Sequence, residues 1–290
     1  MQPAADVSSL AKTPAGTARR GSARRFQFGR NWRRFLEHVD NERIGEAEES
    51  LKHILEVPGL VGKSFLDIGA GSGLFSLAAR RLGARVQSFD ADPEAVACIA
   101  ELKRRYFPSD DSWKVEQASV LETAYMQSVG QFDVVYSWGV LHHTGTMWQA
   151  LENAQLPVAP GGKLCLAIYN DQGSASQRWR AIKRLYNRLP GPLRLPMLCV
   201  CLMRLWGPTM VRDLLRGGPF RTWVSYRSAR GMSAWHDLVD WVGGYPFEVA
   251  RPEEVFDRCC RKGFALVKLK TCGGGRGCNE FVFVKSGRSE

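Results

Sequence analysis

Apolar residues recur with two different periods along this chain. Seven short runs are apolar throughout or alternate with polar residues: "KSFLDIG", "RVQSFD", "WKVEQA", "QFDVVYSW", "GKLCLAIYN", "FALVKLKT" and "EFVFVKS". Alternation with a period of two marks strands, whose successive side chains point to opposite faces. Between them, "GLFSLAARRLG", "DPEAVACIAELKRRY", "TMWQALENAQ" and "PEEVFDRCCRKG" carry apolar residues three and four apart, which marks helices. The punctuation agrees. Gly83 closes the first of these helices, and Asp92 caps the second with Pro93 in its first turn. Strands alternating with helices predict an α/β protein with an open, seven-stranded, mainly parallel sheet. The last two runs flank "CGGGRGCN", a glycine turn that makes the final strand antiparallel. The turn "APGG" leads into "GKLCLAIYN".

Three segments stand outside this alternation. Residues 1–24 are rich in Ala, Ser, Thr, Gly and Arg, and read as a disordered basic tail, with an organelle transit peptide as the alternative. Residues 25–58 form an N-terminal helical segment. "RFQFGRNWRRFLEHV" spaces Trp32, Phe35 and Leu36 helically, and "IGEAEESLKHILEV" puts Ile44, Ala47, Leu51, Ile54 and Leu55 on one face. Residues 171–250 separate the sheet domain, 59–170 and 251–287, into two parts. They are basic, aromatic and helical in pattern, and leave from the carboxyl end of a central strand. Ligands bind at that edge of an open α/β sheet, so the insertion is placed to act as a lid.

Composition narrows the picture. At 44% hydrophobic and 24% charged, the chain is an ordinary globular one. Its most apolar stretch, "LPMLCVCLM" (Leu195 to Met203), lies between Arg194 and Arg204 and is too short to span a bilayer. It suits a buried or interfacial helix. With no apolar leader, the expected location is the cytoplasm, with peripheral membrane contact as an option. The eight cysteines lack zinc spacing and read as reduced thiols, with a Cys272–Cys278 disulfide as the alternative and no metal expected. The net charge of +11 is uneven. Residues 1–34 hold eight Lys/Arg against Asp6, a net of +7, and residues 172–247 hold twelve against three Asp, a net of +9. An acidic core therefore carries two basic attachments.

The chemistry starts at "FLDIGAGSGLF", Phe65 to Phe75. Gly69, Gly71 and Gly73 are spaced G-x-G-x-G, and Leu74 stands where a dinucleotide loop needs its third glycine. Asp67, just before the turn, would repel a pyrophosphate. It suits a cationic ligand such as S-adenosylmethionine, which has an ammonium and a sulfonium but no phosphate. These residues, followed in order by "VQSFDADP", "EQASVLE", "FDVVYSWGVLHHTG" and "VAPGGKLCLAIYN", resemble the motifs of the class I S-adenosylmethionine-dependent methyltransferases. The resemblance implies that Asp67, Gly69, Ala70, Gly71 and Gly73 hold the methionine moiety. It places Asp90, with Ala91, at the ribose, where a carboxylate accepts bonds from both hydroxyls of a diol. Ser119 and Val120 stand at the adenine, with a serine where the family often has aspartate, so a hydroxyl or backbone amides would substitute. Ser137 and Trp138 complete the expected cofactor contacts.

The fourth motif excludes two branches of that family. It has neither Asn/Asp-Pro-Pro-Tyr, used on exocyclic amines and glutamine amides, nor the Pro-Cys nucleophile used on pyrimidine carbon. "SWGVLHH" is instead similar to methyltransferases of quinones, lipids, sugars and secondary metabolites. This implies a small-molecule or lipid-linked acceptor, with O-methylation ahead of N- and C-methylation. His142, His143 and His236 are the candidates for a general base. Tyr169, Asn170, Trp235, Asp240 and Tyr245 are the candidates for acceptor contacts, and His236 and Asp240 are spaced to pair. "CGGGRGCNE" is either a loop approaching the acceptor or a hairpin tip. The basic arms fit RNA phosphates, an anionic membrane surface, or an acidic substrate or lipid headgroup. Two further functions stay open: a tRNA or rRNA methyltransferase, and a non-catalytic cofactor-binding regulatory subunit. Asp67 and the glycine spacing disfavour an NAD-dependent oxidoreductase. No feature sets the oligomeric state.

Overall fold

A computed structural model of the protein describes residues 36, 39–218, 220–224 and 234–287. The tail expected over 1–24 lies outside them, as do Trp32 and Phe35. The elements run α1 (Asn41–Leu55), β1 (Ser64–Ile68), α2 (Leu74–Arg81), β2 (Arg85–Asp90), α3 (Pro93–Tyr106), β3 (Trp113–Gln117), α4 (Thr123–Ser128) and β4 (Phe132–Trp138). They continue with α5 (Met147–Gln155), β5 (Val158–Tyr169), α6 (Ser174–Arg188), α7 (Gly191–Leu215), α8 (Ala234–Gly243), α9 (Pro252–Cys260), β6 (Phe264–Lys270) and β7 (Cys278–Lys285).

Among the described residues the sheet has seven strands in the order β3-β2-β1-β4-β5-β7-β6. Strands β1 to β5 are parallel, and β7 lies antiparallel between β5 and β6. Strand order reverses between β1 and β4, and at such a switch point the carboxyl ends open a crevice for ligands. Alternation gives the sheet two cores. Leu66, Ile68, Val135 and Phe283 pack on one face, and Phe65, Val86, Tyr136 and Val282 on the other. Helix α1 buries Ile44, Ala47, Leu51, Ile54 and Leu55 on the second face, the stripe its periodicity predicts. Helix α3 starts where expected, because the Asp92 side chain accepts from the Glu94 amide at 2.9 Å and Pro93 loses no bond at that position.

Strand β5 departs from expectation. It begins at Val158 and includes the "APGG" segment, which the sequence reads as a turn before the strand. The register with β4 shifts between Phe132 and Val134, and Gly161 has a left-handed φ of 74°. A Cβ on Gly162 would sit 2.9 Å from the Phe132 carbonyl oxygen. The glycines therefore allow a bulge within the strand.

Helices α6, α7 and α8 follow β5 and share a small apolar cluster of Tyr186, Leu198, Cys201, Leu238 and Val242. The return limb from this segment is stitched to the sheet edge. Ala250 N–H donates to the Tyr169 carbonyl at 2.9 Å, Asp171 N–H to Ala250 at 3.1 Å, and Glu248 N–H to His142 at 2.9 Å. At the other side of β5 the glycine tip holds no disulfide, and Cys272 and Cys278 are free thiols. Asparagines fasten it instead. Asn279 Nδ2 donates to Asn170 Oδ1 at 3.0 Å, and Asn170 Nδ2 to the Gly275 carbonyl at 3.3 Å. Among the described residues no helix is long and apolar enough to cross a membrane.

Candidate active site

The chain leaves β1 through three left-handed glycines, Gly69, Gly71 and Gly73, with φ of 69°, 57° and 82°. A Cβ on Gly69 would sit 2.3 Å from Val140 Cγ1, and one on Gly73 3.1 Å from the Ile99 Cα. Any other residue would be both strained and crowded at these points. The Gly69 and Ala70 amides donate to the Phe89 carbonyl at 2.9 and 3.1 Å, which fastens the turn to β2. Asp90, which follows Phe89 and ends β2, accepts from Gly71 N–H through Oδ2 at 3.0 Å and from Asp92 N–H through Oδ1 at 2.9 Å. Each oxygen keeps lone-pair capacity for a ligand hydroxyl. Burial pushes the Asp90 carboxyl up from its ordinary value, and the amides oppose this.

The other expected cofactor contacts divide. Ala70 is half-buried in the turn and Ala91 is exposed after β2. Ser119 caps the turn into α4, its hydroxyl accepting from Leu121 N–H at 3.2 Å. Val120 packs its side chain in the core, so only its main chain is available to a ligand. Ser137 is fully buried, and its hydroxyl donates to the Ile68 carbonyl at 3.4 Å, so its side chain ties β4 to β1 and a cofactor contact would fall to its main chain. Trp138 is half-buried and stacks on Tyr136, with centroids 5.2 Å apart.

Asp67 sits below the turn, only 3% exposed. Ser76 Oγ donates to its Oδ2 at 2.5 Å, Ser88 Oγ donates to Ser76 Oγ at 2.7 Å, and Trp113 Nε1 donates to Ser88 Oγ at 2.9 Å. This relay was not foreseen from sequence; its signal is serine within the apolar runs "LFSLAA" and "VQSFD". Burial pushes the Asp67 carboxyl up to about 7, opposed by the Ser76 bond and aided by the charge of Asp90. A cation placed near it would favour the ionised form.

A second cluster lies at the ends of β4 and β5. His142 and His143 form a short 3₁₀ turn, Leu141–His143, after β4. Tyr169 N–H donates to His142 Nδ1 at 3.2 Å, so the other nitrogen of a neutral His142 carries the proton. That Nε2 is buried without a hydrogen-bond partner among the described residues. Burial holds the His142 ring well below its usual pKa. His143 has the opposite arrangement. Its Nδ1 lies 2.7 Å from the Pro246 carbonyl and must donate to it, which makes Nε2 the unprotonated, accepting nitrogen of the neutral ring. Burial lowers the His143 pKa to about 4. Tyr169 joins the two, its ring centroid 3.8 Å from His142, 5.4 Å from His143, and 5.5 Å from both Trp241 and Phe247.

The remaining candidates lie around this cluster. Asn170 is engaged with the glycine tip. Trp235 packs in the helical segment's own core, and Tyr245 lies under the Arg184 guanidinium, 6.0 Å from its ring centroid. His236 belongs to α8, but its side chain lies outside the described residues. Asp240 helps hold a residue that sequence reasoning missed, Lys183, through its negative charge. Lys183 is fully buried on α6, donates to the Trp241 carbonyl, and lies 4.3 and 4.7 Å from the Trp241 and Phe247 ring centroids. Its charge also lowers both histidines.

Burial lowers the Lys183 pKa to about 7 from 10.5. Between those values the unfolded chain holds a proton that the folded chain has lost, so this group's contribution to stability rises with pH. Lys183→Met removes the effect. Relative to that variant, wild type is expected to gain roughly 2–4 kcal/mol between pH 7 and pH 10. Paired denaturant titrations across that range measure it, and a constant difference would place a charged amine at pH 7.

Comparisons with known proteins bear on the family and on its Rossmann-like fold. A family model described as "Methyltransferase domain" matches residues 35–204. The chain is 32% identical over 111 residues to the ubiquinone biosynthesis O-methyltransferase of Xanthomonas oryzae pv. oryzae, covering 38% of this chain and 45% of that protein. It is 31% identical over 119 residues to the tRNA U34 carboxymethyltransferase of Methylococcus capsulatus, covering 41% of this chain and 36% of that protein. Each match thus spans less than half the length of the relative. Among solved structures, magnesium protoporphyrin IX methyltransferase from Synechocystis PCC 6803, with bound SAH, superposes with a TM-score of 0.53 at 12% identity, over 89% of this chain and 94% of that one. At that identity the likeness is one of fold.

Proposed function

Because the chain belongs to the class I S-adenosylmethionine-dependent methyltransferases, we propose that it methylates an oxygen of a small-molecule or lipid-linked acceptor. The observation that carries this reading is the placement of His143, a neutral imidazole whose proton Pro246 holds on Nδ1, beside Tyr169 at the edge of the sheet where the glycine turn and Asp90 also lie. The sulfonium is already a good leaving group, so the protein's tasks are alignment, water exclusion and proton removal. In the transfer, the acceptor oxygen forms a bond to the methyl carbon. The carbon–sulfur bond breaks with its electrons going to sulfur, giving S-adenosylhomocysteine, and the hydroxyl proton passes to His143 Nε2. A base this weak suffices because the proton becomes strongly acidic as the oxygen acquires its methyl group.

The residues between β5 and α9 act as the lid in this reading. Tyr169, Trp241 and Phe247 provide an aromatic wall, which suits a planar acceptor such as a phenol or quinol. Asp67 and the glycine turn hold the methionine end, and Asp90 the ribose. A second reading, an RNA acceptor, draws on the basic charge of residues 172–247 and on the tRNA-modifying relative. Incubating the protein with methyl-labelled cofactor, a panel of phenols and quinols, and bulk tRNA tests both. Label in a methyl ether supports the proposal, and label confined to RNA overturns it.

Asp67 supplies a pH test. In the unliganded protein its raised pKa means that folding retains a proton between 3.8 and about 7, so this group's contribution to stability falls as pH rises through that window. Binding a cationic cofactor favours the carboxylate. Affinity for S-adenosylmethionine is therefore expected to rise as pH increases from 6 to 8 and then level off. Calorimetric titrations of wild type and Asp67→Asn measure this; a rise that persists in the variant would assign it to another group.

A further inference from the structure

Helix α7 presents an apolar face outward. Leu193, Val200, Met203, Val211, Leu214 and Leu215 are each between 53% and 82% exposed. At about 100° per residue these six fall within an arc of roughly 120°, with Leu195, exposed near the start of the helix, lying outside it. The opposite face carries Leu198, Cys201 and Asp213, which are buried against the rest of the helical segment. From Leu193 to Leu215 the strip is about 33 Å long at 1.5 Å per residue. A strip of this kind on the surface of a globular protein marks an interaction site.

The charges say what it meets. Arg204, Arg212, Arg216 and Arg221 are exposed on or beside the strip. The sole acid between residues 188 and 224 is Asp213, which is withdrawn from the surface. Its two oxygens accept from the Thr222 amide and hydroxyl, both at 2.8 Å. Apolar side chains flanked only by arginine match a bilayer surface with anionic headgroups, where the former enter the acyl boundary and the latter meet phosphate. A second copy related by a two-fold axis would set arginine against arginine with no exposed acid to relieve them. RNA is a poorer match, because Phe220 is the one exposed aromatic ring among the described residues from 188 to 224, and a single ring cannot stack on successive bases. Trp206 and Trp223, the tryptophans of this region, are half-buried and pack on each other with centroids 4.8 Å apart.

We propose that the outward face of α7 docks on an anionic membrane surface, with the helix lying in the interface. The docking is independent of which acceptor is methylated, although it would bring a lipid-linked acceptor to the same edge of the sheet as the cofactor. The test is co-sedimentation of the full chain with phosphatidylglycerol/phosphatidylcholine vesicles and with pure phosphatidylcholine vesicles. Wild type is expected to bind the anionic vesicles, less tightly as salt is raised. The triple variant Val200→Asp/Met203→Asp/Leu214→Asp should bind them about tenfold more weakly or worse. Arg204→Glu/Arg212→Glu should weaken binding to anionic vesicles selectively. Titration with S-adenosylhomocysteine serves as the control for folding and reads the cofactor site separately, with unchanged affinity expected in both variants. Three results would overturn the proposal: wild type remaining in the supernatant, the triple variant sedimenting like wild type, or sedimentation velocity showing that the triple variant splits a dimer while vesicle binding is unaffected.

Discussion

Asp90→Ala is expected to weaken S-adenosylhomocysteine binding by about a hundredfold or more. Hydrogen bonds to an ionised group each contribute about 1.5–3 kcal/mol, and a ribose diol engages two of them. The Asp90 carboxylate also bridges the Gly71 and Asp92 amides, so its removal loosens the glycine turn that approaches the cofactor. A loss of roughly 3 kcal/mol corresponds to about two orders of magnitude in Kd. Asp90→Asn keeps one acceptor oxygen and should lose about tenfold. Calorimetric titration of each protein, with NADH as a control ligand, measures this. Equal affinity in wild type and Asp90→Ala would remove Asp90 from the ribose site. Binding of NADH in place of S-adenosylhomocysteine would mean that Asp67 does not repel a pyrophosphate as argued.

His143→Ala should lower turnover by about 10²- to 10⁴-fold, the usual contribution of a positioned base, with cofactor Kd within about twofold of wild type. The distinction matters because a structural role would act on both. His143→Asn is the sharper variant. Its amide can still donate to the Pro246 carbonyl but cannot accept the proton, so it should be as slow as the alanine variant while melting closer to wild type. The pH profile gives an independent reading. The unprotonated ring is the active form, so turnover should be flat near neutrality and fall as pH drops through about 4. Undiminished turnover in His143→Ala would move the proton to water or to Lys183.

Much of this architecture was legible from residue order. The period-two runs became the seven strands, and the stripe from Ile44 to Leu55 became a buried helix face, because local pattern and burial agree there. The glycine spacing was legible because left-handed backbone leaves few alternatives to glycine. What stayed hidden depends on tertiary contact. The "HH" pair cannot reveal by spacing that His142 accepts from the Tyr169 amide while Pro246 fixes the His143 proton on Nδ1, since the partners lie on β5 and on the return limb. Ser137 follows the motif in sequence, yet its side chain is buried, because both faces of this central strand are covered. The "APGG" segment was read as a turn, and only the Phe132 carbonyl beside Gly162 shows why it remains in the strand. Lys183 had one signal. It is the sole lysine in residues 172–247, among eleven arginines, and lysine is the basic side chain that tolerates burial by losing its proton.

The Pro246 carbonyl that orients His143 belongs to the segment returning from the helical insertion, whereas the bonds that shape the glycine turn and Asp90 involve none of that segment. The two halves of the site are thus assembled by different parts of the chain. The consequence is separability. The cofactor half takes no bond from the return limb, whereas the tautomer of His143 depends on one. Substitutions in the return limb should therefore lower turnover while leaving S-adenosylhomocysteine affinity unchanged.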